Sequence, residues 1–264
     1  MSMPGWLPLL LSGLLFAVLL MAGTWWLARR IRNAGIVDIA WAASFAPMAA
    51  IYAWAGQGTP VRRTLTAVMA IMWSVRLASY LYARVAGQHP AEDSRYVDLR
   101  RRWGADADRR FFWFFQAQAL AAAALSVPFA VAASDPDPMI GALAWTGVLV
   151  WAVGLCGESL ADLQLAAFKR NPANAGRVCD AGLWNYSRHP NYFFEWLVWC
   201  GFALFALPSP WGWLALACPA AMLFLLLRVT GIPALEAAAV QRRGEAYREY
   251  QRTTSAFVPW FKRV

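Results

Sequence analysis

Long apolar runs alternate along this chain with short polar interruptions. Seven such runs, at roughly 6–28, 34–55, 64–85, 111–133, 139–168, 190–207 and 210–230, come close to or pass the ~20 residues that a helix needs to cross about 30 Å of hydrocarbon. Each predicts a transmembrane helix. The first, "WLPLLLSGLLFAVLLMAGTWWLARR", lacks a basic leader and is long enough to span, so it reads as a helix and not as a cleaved signal. No internal repeat, low-complexity tract or soluble domain interrupts the pattern. The expected fold class is all-α: a polytopic integral membrane protein of one membrane-embedded domain over residues 1–264.

Composition agrees with this pattern. Charged residues make up 15% of the chain, below the usual quarter of soluble domains, which removes the soluble reading that 264 residues would otherwise permit. The net charge of +9 would suggest nucleic acid in a soluble protein, but here its distribution explains it. Arg29, Arg30 and Arg32 follow the first run, and Arg84, Arg95, Arg100, Arg101, Arg102, Arg109 and Arg110 follow the third. Lys169, Arg170, Arg177 and Arg188 follow the fifth, and six more cations sit in the tail. The opposite connections carry only Arg62 and Arg63, with Asp135 and Asp137. Cytoplasmic loops collect Lys and Arg, so the N-terminus is expected outside and the C-terminus in the cytoplasm. The basic loops belong to a membrane surface and leave no nucleic-acid partner. A cytoplasmic loop is expected at about 86–110 and a cytoplasmic helix at about 234–253, with Pro233 at its start and Gly244 as its weak point. The four cysteines form no CxxC pair, so neither a metal site nor a disulfide framework is predicted.

Polar groups inside apolar spans are costly and point to function. Asp38 opens the second span. Arg76 lies in the third, with Trp73 and Tyr80 on the same face by spacing. Glu158, Asp162 and Lys169 form a stripe on the fifth, and Asn191 and Glu195 share a face of the sixth. Arg228 ends the seventh. Asp38, Asp162, Asn191, Glu195 and Arg228 all fall within about two turns of the basic side, at ~1.5 Å per residue. The pattern predicts a polar cavity opening there.

The densest polar stretch is "NYSRHPNYFFEW", from Asn185 to Trp196. Pro190 suits a first helical position, which puts His189 near an N-cap. Free N–H groups and the positive helix end attract an anion, and Arg188 adds charge. Asn191 and Glu195 can bond a ribose or an amide. The stretch therefore predicts a grip on a phosphate-bearing cofactor; the plain alternative is an interfacial loop anchored by Tyr and Trp.

"GLWNYSRHPNYFFEW", followed by "LLLRVTGIPALEAAAVQRRGEAYREYQRTTSAFVPWF", resembles the superfamily of steroid 5α-reductases, sterol reductases and isoprenylcysteine carboxyl methyltransferases. "NAGIVDIAW", "HPAEDSRYVDLRRRWG" and "ADLQLAAFKRN" are similar to its bacterial steroid 5α-reductase-like branch, the DUF1295 family, over nearly the full length. The resemblance implies seven spans in a bacterial inner membrane, an active site open to the cytoplasm, and NADPH-dependent reduction of a double bond conjugated to a ketone. The substrate implied is a 3-oxo-4-ene steroid or a similar apolar enone lipid. Where the family uses a Glu and a Tyr at the ketone, this chain has Asp38 and, near the second position, Trp73; Tyr80 on the same face can replace the tyrosine. The cofactor residues implied are Asp162, Lys169, Arg170, Arg188, His189, Asn191, Tyr192, Glu195, Arg228, Glu236, Tyr247 and Tyr250. No GxGxxG or P-loop is present, so the nucleotide site is not of Rossmann type.

Two other readings use the same residues. An S-adenosylmethionine-dependent membrane methyltransferase would share the Arg-His-Pro-Asn-Tyr grip, but a sulfonium cofactor has little use for many cations. A non-catalytic scaffold would gain little from intramembrane carboxylates.

Overall fold

The computed structural model describes residues 4–87, 91–229 and 231–262, and among them the backbone is helical with no strand beyond an isolated bridge between Ser187 and Ser255. Six stretches are long and apolar enough to cross a membrane: Trp6–Ile31, Ile36–Ala55, Pro60–Ala86, Ser94–Ala133, Ala142–Arg170 and Gly212–Arg243. The chain is an all-helical integral membrane protein. The predicted sixth span is a helix of 17 residues, Pro190–Ala206. At ~1.5 Å per residue it is about 25 Å long, at the short end for a bilayer.

The chain divides into two compact units, Met1–Ile140 with Ser209–Leu214, and Gly141–Pro208 with Ala215–Val264. The first holds α1 (Trp6–Ile31), α2 (Ile36–Ala55), α3 (Pro60–Ala86), α4 (Ser94–Trp103), α5 (Ala107–Leu125) and α6 (Val127–Ala133). The expected fourth span is thus two helices. Pro128 cannot donate a backbone bond to the preceding turn, and the Ser126 hydroxyl bonds back to the Ala123 carbonyl at 2.8 Å. The Tyr52 phenol meets that same hydroxyl at 2.9 Å and fixes the break inside the bundle. Around it Phe45 packs edge-on against Trp73, with ring centres 5.1 Å apart, and against Phe129 at 6.2 Å. The expected loop at 86–110 contains a helix, α4, because Asp93 caps it: its carboxylate accepts from the Arg95 backbone N–H at 3.0 Å.

The second unit holds α7 (Ala142–Arg170), α8 (Pro190–Ala206), α9 (Ala217–Phe224), α10 (Ile232–Arg243) and α11 (Glu245–Thr253). The expected seventh span is a 3₁₀ turn at Gly212–Leu216, then α9, then a π-helical turn at Leu225–Val229. The single tail helix expected at 234–253 is two helices. Gly244 adopts φ 54° and ψ −127°, a conformation closed to residues with a Cβ, and the chain turns there. The α7–α8 seam is built on absent side chains. A Cβ on Gly154 would lie 2.7 Å from the backbone N of Val198, and one on Gly201 would lie 2.5 Å from the backbone N of Trp151. Backbone meets backbone there, which is how helices associate where lipid supplies no hydrophobic drive.

Candidate functional site

In the second unit the polar residues gather where α8 begins. A 3₁₀ turn, Gly182–Asn185, leads to Ser187, which donates to the Phe257 carbonyl at 2.8 Å and accepts from the His189 N–H at 3.1 Å. The next two side chains turn toward α10. Arg188 Nε donates to Glu236 at 2.6 Å, and its Nη1 donates to the carbonyls of Gln251 at 3.0 Å and Thr254 at 2.5 Å. His189 Nε2 lies 3.2 Å from the same Glu236 oxygen, and its ring stacks on Tyr192. Gln251 Nε2 donates to the second Glu236 oxygen at 2.8 Å. Glu236 is thus the hub on which the Arg-His pair, α10 and α11 converge. Two phenols complete the clasp. Tyr250 donates to the carbonyls of Trp184 and Ser187. Burial, and after it the Glu236 charge, pushes the Tyr247 phenol up to about 12. Burial pushes the Tyr250 phenol up as well, so both stay neutral, Tyr250 as a donor and Tyr247 as an acceptor from Arg188.

One helical turn into the spans lies a second polar layer. Asn191 Nδ2 donates to Asp162 Oδ1 at 3.2 Å across the α7–α8 seam, and Trp199 Nε1 donates to Glu195 at 2.9 Å, one turn along α8. Glu158, Asp162 and Glu195 are all buried. Lys169 and Arg170 close α7, exposed, and Arg228 is exposed in the π-helical turn. Arg243 is held by the Arg177 carbonyl at 2.9 Å.

The first unit carries a separate cluster. Asp38 accepts from Tyr96 at 2.6 Å, from Arg95 at 2.9 Å and from Arg84 at 3.1 Å. Tyr96 is buried because α4 lays its ring between Phe111 and Phe114, with centroids at 6.4 and 6.2 Å. Asp93 adds a fourth contact, bonding Arg95 through both oxygens at 3.1 Å. Burial works against its charge, but the hydrogen bonds from Arg95 and the charges of Arg95 and Arg84 outweigh it, and the carboxyl sits below its ordinary range. Tyr80 is half-buried under the Arg76 guanidinium, 5.7 Å from its ring, as their spacing predicted, while Trp73 lies fully buried against Phe45.

The structure brings Arg188, His189, Glu236, Tyr192, Tyr247 and Tyr250 into one cluster and Asp162 with Asn191 into another. Sequence reasoning missed Ser187, Gln251 and Thr254 in the first, since two of these three act through backbone or local turns. It took Tyr96, with Glu92, Asp93, Arg95 and Arg101, only as part of a loop able to cover the site, without pairing it to Asp38, and it missed Arg84 there. The charge alternation in "EDSRY" was the available signal, although it does not say which side chain reaches inward.

An all-helical integral membrane protein with buried carboxylates and a clasped Arg-His-Pro segment is the class that this geometry defines. Within that class the chain belongs to the family described as "Protein of unknown function (DUF1295)", whose profile matches residues 24–254. It is 43% identical over 47 residues to a probable O-methyltransferase, ustE, of Ustilaginoidea virens, a match covering 18% of this chain and 16% of that protein. It is 27% identical over 218 residues to an uncharacterized protein of Schizosaccharomyces pombe, covering 73% of this chain and 63% of that protein. The chain thus spans less than two thirds of the length of either relative. No solved structure matches.

Proposed function

We propose that the protein is an NADPH-dependent reductase of a carbon–carbon double bond conjugated to a ketone, acting on a 3-oxo-4-ene steroid or a similar enone lipid. The observation that carries this reading is the cationic end of the second unit. Lys169 and Arg170 close α7, Arg242 and Arg243 close α10, and Arg243 reaches the Arg177 carbonyl in the connection after α7 at 2.9 Å. Like charges held together cost energy that an anionic ligand removes. Two turns before Lys169 on α7, the buried Asp162 accepts from Asn191, a pair with the hydrogen-bonding capacity for a ribose or an amide. NADPH carries three phosphates and fits such a cluster; S-adenosylmethionine carries none. When bound, NADPH would supply the hydride. Lys169, Arg242 and Arg243 would neutralise phosphate charge, and Asp162, Asn191 and Glu195 would orient the nucleoside. Arg188, His189, Glu236, Tyr247 and Tyr250 would hold the α8 entrance in place. For the ketone we retain Asp38, with Tyr80 and Trp73 in the same unit, and add Tyr96 as the phenol that Asp38 holds. The same reading takes the chain to have seven spans, an outside N-terminus and a site open to the cytoplasm of a bacterial inner membrane.

A second reading, an S-adenosylmethionine-dependent methyltransferase, is favoured by the name of the Ustilaginoidea virens relative, a probable O-methyltransferase. Titrating the purified protein with NADPH, NADH and S-adenosylmethionine separates the two. NADPH bound at least about tenfold more tightly than NADH, and lost on replacing Lys169 and Arg243 with alanine, is the expected result. Binding of S-adenosylmethionine alone would transfer the chain to the second reading.

A further inference from the structure

A different cluster of cations, in the first unit, lies outside that reading and is independent of it. The last turn of α1 and the start of α5 frame, with α4, an open cleft of about 780 Å³. Ligand sites commonly span about 300–1,000 Å³. Four guanidinium groups line it, from Arg29, Arg30, Arg32 and Arg100, against two carboxylates, Glu92 and Asp108. The carboxylates are already engaged. Glu92 bonds Arg100 at 2.9 and 3.2 Å and accepts from the Ala34 N–H at 2.6 Å. Asp108 accepts from Arg29 at 2.9 Å. Among the described residues neither Arg30 nor Arg32 forms an ion pair. They supply a surplus of positive charge on the cleft wall.

The remaining wall is aromatic. Trp26 lines the cleft, is 54% exposed, and lies under the Arg30 guanidinium at 4.8 Å. Trp25 lies under Arg29 at 4.9 Å and donates its indole N–H to the Asp108 carbonyl at 2.8 Å. Indoles stacked under cations at the end of a spanning helix mark the level where headgroups meet hydrocarbon. On its exposed side α1 presents an apolar lane that begins in the hydrocarbon and passes Trp26. Leu11, Leu15, Leu19, Leu27 and Ile31, four residues apart except at Gly23, are exposed, and nothing stands within 4 Å of a Cβ at Gly23. From Leu11 to Leu27, beside Trp26, the lane rises about 24 Å while winding about 160° round the helix, and Ile31 lies beyond it at the level of the arginines.

We infer that this cleft binds the phosphate of an anionic phospholipid headgroup, with an acyl chain lying along the outer face of α1. Arg30 and Arg32 meet the phosphate, Arg29 and Arg100 are held in position by Asp108 and Glu92, and Trp26 sits at the glycerol level. A soluble phosphate ester would use the cations but not the lane. A zwitterionic lipid would use the lane but place its own ammonium group among the arginines. Only an anionic lipid uses both.

The test uses the full-length protein in neutral detergent, with bound lipid counted by native mass spectrometry against phosphatidylglycerol, phosphatidylcholine and glycerol 3-phosphate. Phosphatidylglycerol should bind about tenfold or more tightly than phosphatidylcholine, as expected when two cations at a membrane surface face an anionic lipid. Replacing both Arg30 and Arg32 with alanine should erase that preference, whereas Arg248→Ala on exposed α11 should keep it. Leu27→Gln should weaken phosphatidylglycerol binding, and glycerol 3-phosphate should not displace it at equal concentration. Phosphatidylglycerol bound by the double variant as by the parent overturns the proposal, and so does equal affinity for the two lipids. Displacement by glycerol 3-phosphate also overturns it, in favour of a soluble phosphate ester. If the double variant does not fold, the parent decides by itself: absence of a thermal shift specific to phosphatidylglycerol rejects the site.

Discussion

Tyr96 donates its phenolic hydrogen to Asp38 at 2.6 Å although 58 residues separate them. The bond joins α4 to the start of α2, and Arg84 and Arg95 close around the same carboxylate. A carboxylate that accepts from three donors is a fixed point for its neighbours. Tyr96→Phe should leave one Asp38 oxygen without this partner and cost about 1–3 kcal/mol. Amide exchange over 91–103 should rise in this variant and stay low over α7 and α8. If the phenol also polarises a ketone, single-turnover oxidation of NADPH by an enone steroid should slow by about 10²-fold while NADPH affinity holds. Exchange that rises with no kinetic loss assigns Tyr96 to structure alone.

The Asp93 cap gives that clasp a pH dependence. The folded carboxyl lies below its ordinary value of 3.8, held there by Arg95 and Arg84 against the cost of burial. A depressed carboxyl contributes stability that is complete above its unfolded pKa and is lost as pH falls through the folded one. Proteolysis within 91–103 should therefore stay slow above pH 3.8 and accelerate below it. Asp93→Asn should flatten the profile and raise cleavage at neutral pH.

Arg188 and Glu236 should behave as a unit. Their side chains are 10% and 15% exposed, so removing either charge leaves the other in a poor environment. Arg188→Ala should destabilise the α10–α11 segment by about 3 kcal/mol, and Glu236→Gln by less, because Gln251 and His189 remain. The double variant should cost less than the sum of the two, a coupling that a thermodynamic cycle on melting or exchange data measures. Additive losses would mean that the 2.6 Å contact contributes little.

The seam between α7 and α8 should be intolerant of a single methyl group. Gly201→Ala places a carbon against the Trp151 backbone, which no rotamer change relieves. Overpacking of this kind costs about 1–3 kcal/mol. Gly23→Ala, facing open space on α1, should be near neutral or slightly stabilising and serves as the control. Unfolding midpoints in detergent compare the two.

The sequence carried most of the polar layer of the second unit. Asn191 and Asp162 fall at matching depth once the apolar runs are counted, and they meet at 3.2 Å. Gly244 was visible as the weak point of the tail, and the backbone turns there because its φ of 54° needs glycine. The destination of Arg188 was not legible. A cation at a helix start reads as an anion grip, and only the folding of α10 shows that its Nε reaches Glu236, 48 residues away. Asp38 posed the same problem in the first unit. Five cations lie between Arg84 and Arg102, and which of them reach inward depends on how α4 settles on the rings of Phe111 and Phe114. The break at Ser126 was only half legible: Pro128 stands in the sequence, but an apolar run does not record where a hydroxyl turns back on its own helix.

A side chain wedged into the glycine seam would act through a lever. Asn191 lies ten residues from Gly201 along α8, a lever arm of about 15 Å at ~1.5 Å per residue. A tilt of about 5° at that pivot carries the carboxamide by about 1.3 Å, enough to part it from Asp162. Small wedges deep in the greasy part of the chain should thus be read out at its polar end. A survey of variants that scores only the polar residues would miss the positions with most control over them.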